Sequence, residues 1–222
     1  GKYQRRYNLR PDKLRVMPNW IATERFGDKS KQGLVRRRLN LSPDDKLVLF
    51  VHRLSRRKGV HRILPIAGSV TKRLKNAIFL IVGTGPEQKN LESEIRNLEL
   101  QNNVRLVGEV PNSEMSDYFA IADAFFMPSE EEGFPHVLLE AMAAGVPYVA
   151  SDVGGIREIT PPDLREYVLS EGDVGAFSEK ILQLLNMAAE GREKIIRAEK
   201  EWVKQYDINA VLPKFIALFR NS

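Results

Sequence analysis

The sequence predicts an α/β fold, a Rossmann-like doubly wound parallel sheet of about six strands. Three observations carry that prediction. From Lys46 onward, short apolar runs alternate with longer stretches of helical periodicity, the pattern of parallel strands joined by helices on both faces. The runs are too short and too rich in β-branched and aromatic residues to be buried helices. Glycine, proline or charge follows nearly every run, as expected where an open parallel sheet binds its ligand beyond the carboxyl ends of its strands.

Taken in order, the strands are expected at 47–52, 77–82, 104–107, 124–127, 148–150 and 166–169. Helices fit 60–74, 87–98, 113–122, 137–144 and 174–189. Turns are marked by Gly83-Thr84-Gly85-Pro86, Gly108, Pro128 and Gly154-Gly155. Residues 1–45 read as a lead-in, with a short strand at 14–17, a Pro18-Asn19 turn and a basic helix near 30–39. They are too few to build a second core. Residues 46–190 are expected to form the Rossmann-like domain. Residues 191–222 add two helices, 192–205 and 208–219, the second with an apolar face (Val211, Leu212, Phe215, Ile216, Leu218, Phe219) that must pack on this domain or on a missing one.

Composition narrows the class. With 222 residues, 43% hydrophobic and 28% charged, the chain can bury a substantial core. It carries no apolar run of membrane-spanning length and no signal-peptide core, so a soluble chain is expected. Cysteine is absent, which excludes disulfides and thiolate metal sites and fits a reducing, cytoplasmic location. His52, His61 and His136 make no metal-ligand pattern. The net charge of +5 is uneven: residues 1–58 hold 17 Lys/Arg against 5 Asp/Glu, and the remainder 17 against 24. Arg5-Arg6 and Arg36-Arg37-Arg38 read either as a solvated basic face or as an attractor of phosphates, a membrane surface included.

Three segments at expected strand ends could carry chemistry. Arg53-Leu-Ser-Arg-Arg-Lys58-Gly59 puts cations at a strand-to-helix junction, where a helix N-terminus already favours anions; it reads as a diphosphate site or as a basic surface loop. Gly83 and Gly85 allow close backbone approach, though a lone Gly-x-Gly is usually only a turn. In Glu132-Gly-Phe-Pro-His-Val-Leu-Leu-Glu140, two carboxylates flank a helix start and could hold sugar hydroxyls, while spacing alone favours a solvated acidic loop and a paired helix residue. His136 reads as a cap or packing residue as readily as a donor to phosphate, and His52 and His61 read as structural.

In combination these segments resemble the GT-B-fold retaining glycosyltransferases of the family-4 type, the glycosyltransferase group 1 domain. The resemblance runs from about Lys13 to Glu158. It takes in Lys13-Leu-Arg-Val-Met-Pro-Asn19 with Phe26, Arg53 with Lys58-Gly59, Val82-Gly-Thr-Gly-Pro-Glu87, Val104 to Val110 with Met115, Ala122-Asp123, Pro128-Ser129, Glu132 through Pro147, and Val149 to Gly155 with Glu158. It implies the C-terminal, donor-binding half of a GT-B fold, a nucleotide-diphosphate sugar as donor, retention of configuration, and no cofactor or metal.

It also implies roles. Arg53 and Lys58 would hold the diphosphate and stabilise the leaving nucleotide, and Glu132 would position the donor sugar, so these three are the catalytic candidates. Glu140 would hold the ribose, and Val110 and Met115 would border the base. Gly83, Gly85, Gly108, Ser129, Gly133, Phe134, His136, Val137 and Leu138 complete the expected donor-binding set, the last three through the start of their helix. The implied partners are an acceptor glycan or lipid-linked acceptor, an N-terminal acceptor domain of the same enzyme and peripheral association with the cytoplasmic face of a membrane. Two departures stand out: His52 replaces a residue that is often Gly in the family, and the resemblance fades after Glu158.

Other classes remain open at this level. Glu132 and Glu140 could be the paired carboxylates of a glycosidase, which the Arg53 and Lys58 pair argues against. The chain could be a nucleotide-sugar-binding module that is silent without its partner half. Nucleic-acid binding carries little weight.

Overall fold

The computed structural model describes residues 17–220. Six parallel strands form one sheet: β1 (Lys46–Val51), β2 (Ala77–Val82), β3 (Val104–Gly108), β4 (Ala124–Met127), β5 (Tyr148–Ser151) and β6 (Val168–Leu169), ordered β3-β2-β1-β4-β5-β6. The order reverses between β1 and β4, which places the topological switch point there.

Strand composition follows position in the sheet. β2 and β4 are buried at every residue, because helices cover both faces and leave no position for a polar side chain. β3, at the edge, is only half buried and tolerates Arg105. The side chains alternate between two cores. Leu47, Leu49, Ile78, Leu80, Phe125 and Met127 enter one, and Val48, Phe50, Phe79, Ile81 and Phe126 enter the other.

The first core is covered by α1 (Gln32–Arg38), α4 (Met115–Ile121) and α5 (His136–Ala144). The second is covered by α2 (Val60–Arg73), α3 (Gln88–Asn97) and α7 (Val174–Leu185). A single turn of helix, α6 (Ile156–Ile159), follows β5. Helix α8 (Ala189–Val203) places Ile195 in the second core and Val203 in the first, so it strides across both.

Several sequence expectations shift. The expected strand at 166–169 shortens to Val168–Leu169, because Glu166 and Tyr167 are taken into a 3-10 turn, Pro162–Tyr167, that Pro162 starts with its fixed φ. The helix expected at 174–189 stops at Leu185, and α8 begins at Ala189 rather than 192. The strand expected at 14–17 falls almost entirely outside the described residues, and Met17 is not in a strand.

The lead-in is tied to the domain. Ile21, Val35 and Leu41 are buried in or beside the core, Ile21 pairs with Asp207, and the Ile21 N–H donates to the Tyr206 carbonyl at 3.0 Å. Its basic residues work locally: Arg36 donates to the carbonyls of Ser42, Pro43 and Asp45, and Arg38 to Glu114 and the Tyr118 hydroxyl. Helix α9 (Ile208–Arg220) buries Val211 and sets Phe215 against Trp20 at 6.1 Å, while Leu212 and Ile216 stay partly exposed.

Candidate functional site

Two adjoining features occupy the carboxyl edge of the sheet. The first is a cleft of about 440 Å³ over β1, β2 and the loop after β3, with Arg53, Gly83, Gly85, Val110 and Met115 in its walls. Its shape is set by backbone. Gly83 has φ +125°, and a Cβ there would lie 2.0 Å from the His52 carbonyl oxygen, so the segments after β1 and β2 touch without side chains between them. The Leu54 N–H donates to Thr84 O at 2.8 Å, and the Gly83 N–H to Gly108 O at 2.7 Å. Gly108 therefore braces the floor rather than lining the opening. Arg53 stands exposed at the rim.

The second feature is a charge cluster across the switch point. The Glu132 side chain is only 5% exposed and accepts three hydrogen bonds: from Lys58 Nζ at 2.9 Å on Oε2, and from Ser129 Oγ at 2.7 Å and His52 Nε2 at 3.3 Å on Oε1. Burial pushes its pKa up, but the donors from His52, Lys58 and Ser129 together outweigh burial and hold the carboxyl at about 2. The imidazole tautomer follows from its other nitrogen: His52 Nδ1 accepts the Arg53 N–H at 2.8 Å, which leaves the ring hydrogen on Nε2. His52 is thus a member of both features, a correction to its reading as a purely structural histidine. Its only sequence signal was the departure from a common glycine.

The neighbouring carboxylates are paired in the same way. Glu131 meets Arg57 at 2.6 Å, and Glu130 meets Arg62 at 3.3 Å. The loop is buttoned to the basic turn Arg56–Lys58, with the Glu130 N–H donating to Arg57 O at 2.9 Å, while Glu131 stays exposed, as the solvated-loop reading expected of it. Gly59 makes this possible: it has φ +72°, and a Cβ there would lie 1.9 Å from Pro128 O.

The rest of the motif divides by environment. Helix α5 starts after Pro135 with no side-chain cap, so the amides of His136 and Val137 are open to an anion, and His136 is exposed. The Leu138 side chain is fully buried and its N–H donates to Pro135 O at 3.3 Å. The Phe134 ring packs on Tyr206 at 5.6 Å, and Ser129 is buried beneath Glu132, so both shape the site from within. Gly133 is exposed and its carbonyl accepts the Gly155 N–H at 3.0 Å. Glu140 differs from Glu132: burial raises its pKa, and the Arg25 charge only partly opposes that.

Residues that sequence reasoning passed over include Thr84 and Glu109 in the cleft wall, Arg25, which donates to Asn112 O at 2.7 Å, and the buried Arg62. Arg62 had a signal, since it lies four residues after Lys58, on the first turn of the helix that follows the basic turn. Among the described residues no group of three or more His, Cys, Asp or Glu could hold a metal ion, and no helix is long and apolar enough to cross a membrane.

Residues 32–202 match the family described as glycosyl transferases group 1. The chain belongs to that family. It is 32% identical over 207 residues to the sulfoquinovosyl transferase SQD2 of Arabidopsis thaliana, an alignment covering 91% of this chain and 39% of that protein. Sucrose-phosphate synthase from Thermosynechococcus elongatus superposes with a TM-score of 0.82 at 27% identity, over 99% of this chain and 55% of that one. Anabaena HepE, solved in complex with UDP, superposes with a TM-score of 0.85 at 20% identity, over 98% of this chain and 60% of that one, a likeness of fold. The chain thus spans less than two thirds of each of these proteins, and its sheet corresponds to the C-terminal half of the GT-B fold.

Proposed function

We propose that this chain is the donor-binding half of a retaining glycosyltransferase that takes a nucleotide-diphosphate sugar and passes the sugar to an acceptor held by a second domain. The observation that carries the reading is the junction of the two features: a glycine-walled cleft with Arg53 at its rim runs into the Lys58–Glu132 pair at the switch point. Base and ribose fit the cleft beside Val110 and Met115, with Glu140 toward the ribose. The diphosphate falls to Arg53, Lys58 and the open amides of His136 and Val137, which supply positive charge where leaving-group charge develops. In this reading those cations neutralise the diphosphate without a metal.

The charge cluster also suggests an order of events. A carboxylate offers about four lone-pair sites, and three of those on Glu132 are taken by His52, Ser129 and Lys58. When a diphosphate draws Lys58 away, Oε2 is freed to accept a donor-sugar hydroxyl. Glu132 then positions the sugar and stabilises positive charge at its anomeric carbon, without forming a bond to it.

The neighbour solved with UDP makes uridine the first base to try. Calorimetry of the chain with UDP and with GDP tests the reading: binding by wild type, with a loss of about tenfold or more in Arg53→Ala and in Lys58→Ala, is expected. Equal affinity in all three proteins sinks the assignment. EDTA is expected to leave the affinity unchanged.

A further inference from the structure

Arg62 is a buried guanidinium, 9% exposed, on the first turn of α2, outside the cleft and out of reach of a ligand there. Its planar fork meets three acceptors from two different loops. Nη1 donates to Pro128 O at 2.9 Å, and Nη2 donates to Glu130 Oε1 at 3.3 Å and Glu171 Oε1 at 2.6 Å. Pro128 and Glu130 flank Ser129, whose hydroxyl holds Glu132. Glu171 lies just after β6, beside Gly172, where a Cβ would come within 3.7 Å of Arg62 Nη2. The Arg62 backbone N–H donates to Gly59 O at 2.9 Å, which anchors the turn carrying Lys58. The Pro128 carbonyl is thus gripped by Arg62 on one side and pressed against Gly59 on the other.

We infer that Arg62 is a positioning residue for the Lys58–Glu132 pair, holding the loops after β1, β4 and β6 at the separation in which Lys58 can pass between Glu132 and a donor diphosphate. The inference rests on the donor-binding reading above. Lysine cannot replace it, because one ammonium on a flexible stem does not span three acceptors in a plane. Loss of the guanidinium leaves Pro128 O unpartnered, while Glu130 and Glu171, each partly exposed, can take up water. The expected damage is therefore to the geometry of the site more than to the fold.

The experiment uses the whole chain, the variants Arg62→Met and Arg62→Lys, and the nucleoside diphosphate of UDP and GDP that wild type binds more tightly, with its monophosphate. Both variants are expected to lose about tenfold in diphosphate affinity and less than about twofold in monophosphate affinity, because the second phosphate meets Lys58. In parallel, carbon NMR follows the Glu132 carboxyl, with Glu132→Gln to assign it. Wild type stays ionised down to about pH 3.5, and the variants begin to protonate above that, since loosened donors no longer hold the charged form. A variant with wild-type diphosphate affinity and an unmoved Glu132 titration overturns the inference, and so does an equal loss for both nucleotides, which is what plain destabilisation gives. If wild type binds neither diphosphate, the donor-binding reading falls, while the Glu132 titration still decides whether Arg62 sets that side chain.

Discussion

The cleft over β1 and β2 and the charge cluster over β1 and β4 sit side by side, yet they are built from opposite materials. The cleft is backbone against backbone, with Gly83 where any side chain would collide with the His52 carbonyl. The cluster is side chain against side chain, with each carboxylate of the loop set against a cation: Glu130 with Arg62, Glu131 with Arg57, Glu132 with Lys58. A backbone wall has one shape and responds to bulk. A charge lattice can exchange one anion for another, which is what a site needs if a diphosphate is to arrive and a nucleotide is to leave. His52 joins them, its Nδ1 facing Arg53 and its Nε2 facing Glu132.

The sharpest break between the two regions comes from a single methyl group. Gly83→Ala combines φ +125° with a Cβ 2.0 Å from a carbonyl oxygen and is expected to cost about 3 kcal/mol or more in urea unfolding. Gly108→Ala, with φ +84° and no atom within 4 Å, is expected to cost roughly 1 kcal/mol, strain alone. Similar losses for the two would show that the wall is softer than the contact implies.

The cluster should instead answer to acid. The Glu132 carboxyl is held at about 2 against an ordinary value of 4.5, so its stabilisation is fully present above pH 4.5 and is lost as the pH falls toward 2. Comparing wild type with Glu132→Gln in denaturant, the difference of roughly 2 kcal/mol expected at pH 7 should shrink steadily below pH 4.5. A constant difference across that range would remove the charged hydrogen bonds from the account.

Between them stand the two cations. Lys58→Ala should lose both nucleoside diphosphate affinity and stability, because it leaves Glu132 with two partners. Arg53→Ala should lose affinity while unfolding within about 0.5 kcal/mol of wild type, since it is exposed at the rim. The smallest effect is expected from Glu140→Gln. Its folded-state pKa is raised by burial, so the ionised side chain burdens the fold as pH rises above the ordinary value. The variant should match wild type at pH 7 or exceed it by up to about 1 kcal/mol, and a clear loss would mean that Arg25 matters more to Glu140 than burial does.

Much of this architecture is written locally. The continuous apolar runs 77–82 and 124–127 read as buried parallel strands, and their alternation with helical stretches puts Arg53, Gly83 and Glu132 at or just beyond strand ends. The 3-10 turn that shortens β6 and the role of Arg62, which falls inside the expected helix 60–74, went unread. Neither error is visible in a window of a few residues.

Strand order and pairing in space are a different matter. Residue types along the chain determined that a parallel sheet would form, that its loops would be glycine-rich or charged, and that carboxylates and cations would share one edge. Only the tertiary structure decided which charge meets which. Glu132 lies 74 residues from Lys58, and Glu171 lies 109 from Arg62. The first pairing follows from the reversal of strand order between β1 and β4, which sets the loops after those strands side by side and buries Glu132, and the second from the packing of α2 beside the loop that follows β6. Burial then separates two glutamates of one motif: three donors keep Glu132 charged, and Glu140, in the helix that follows, has only a distant guanidinium to oppose its desolvation.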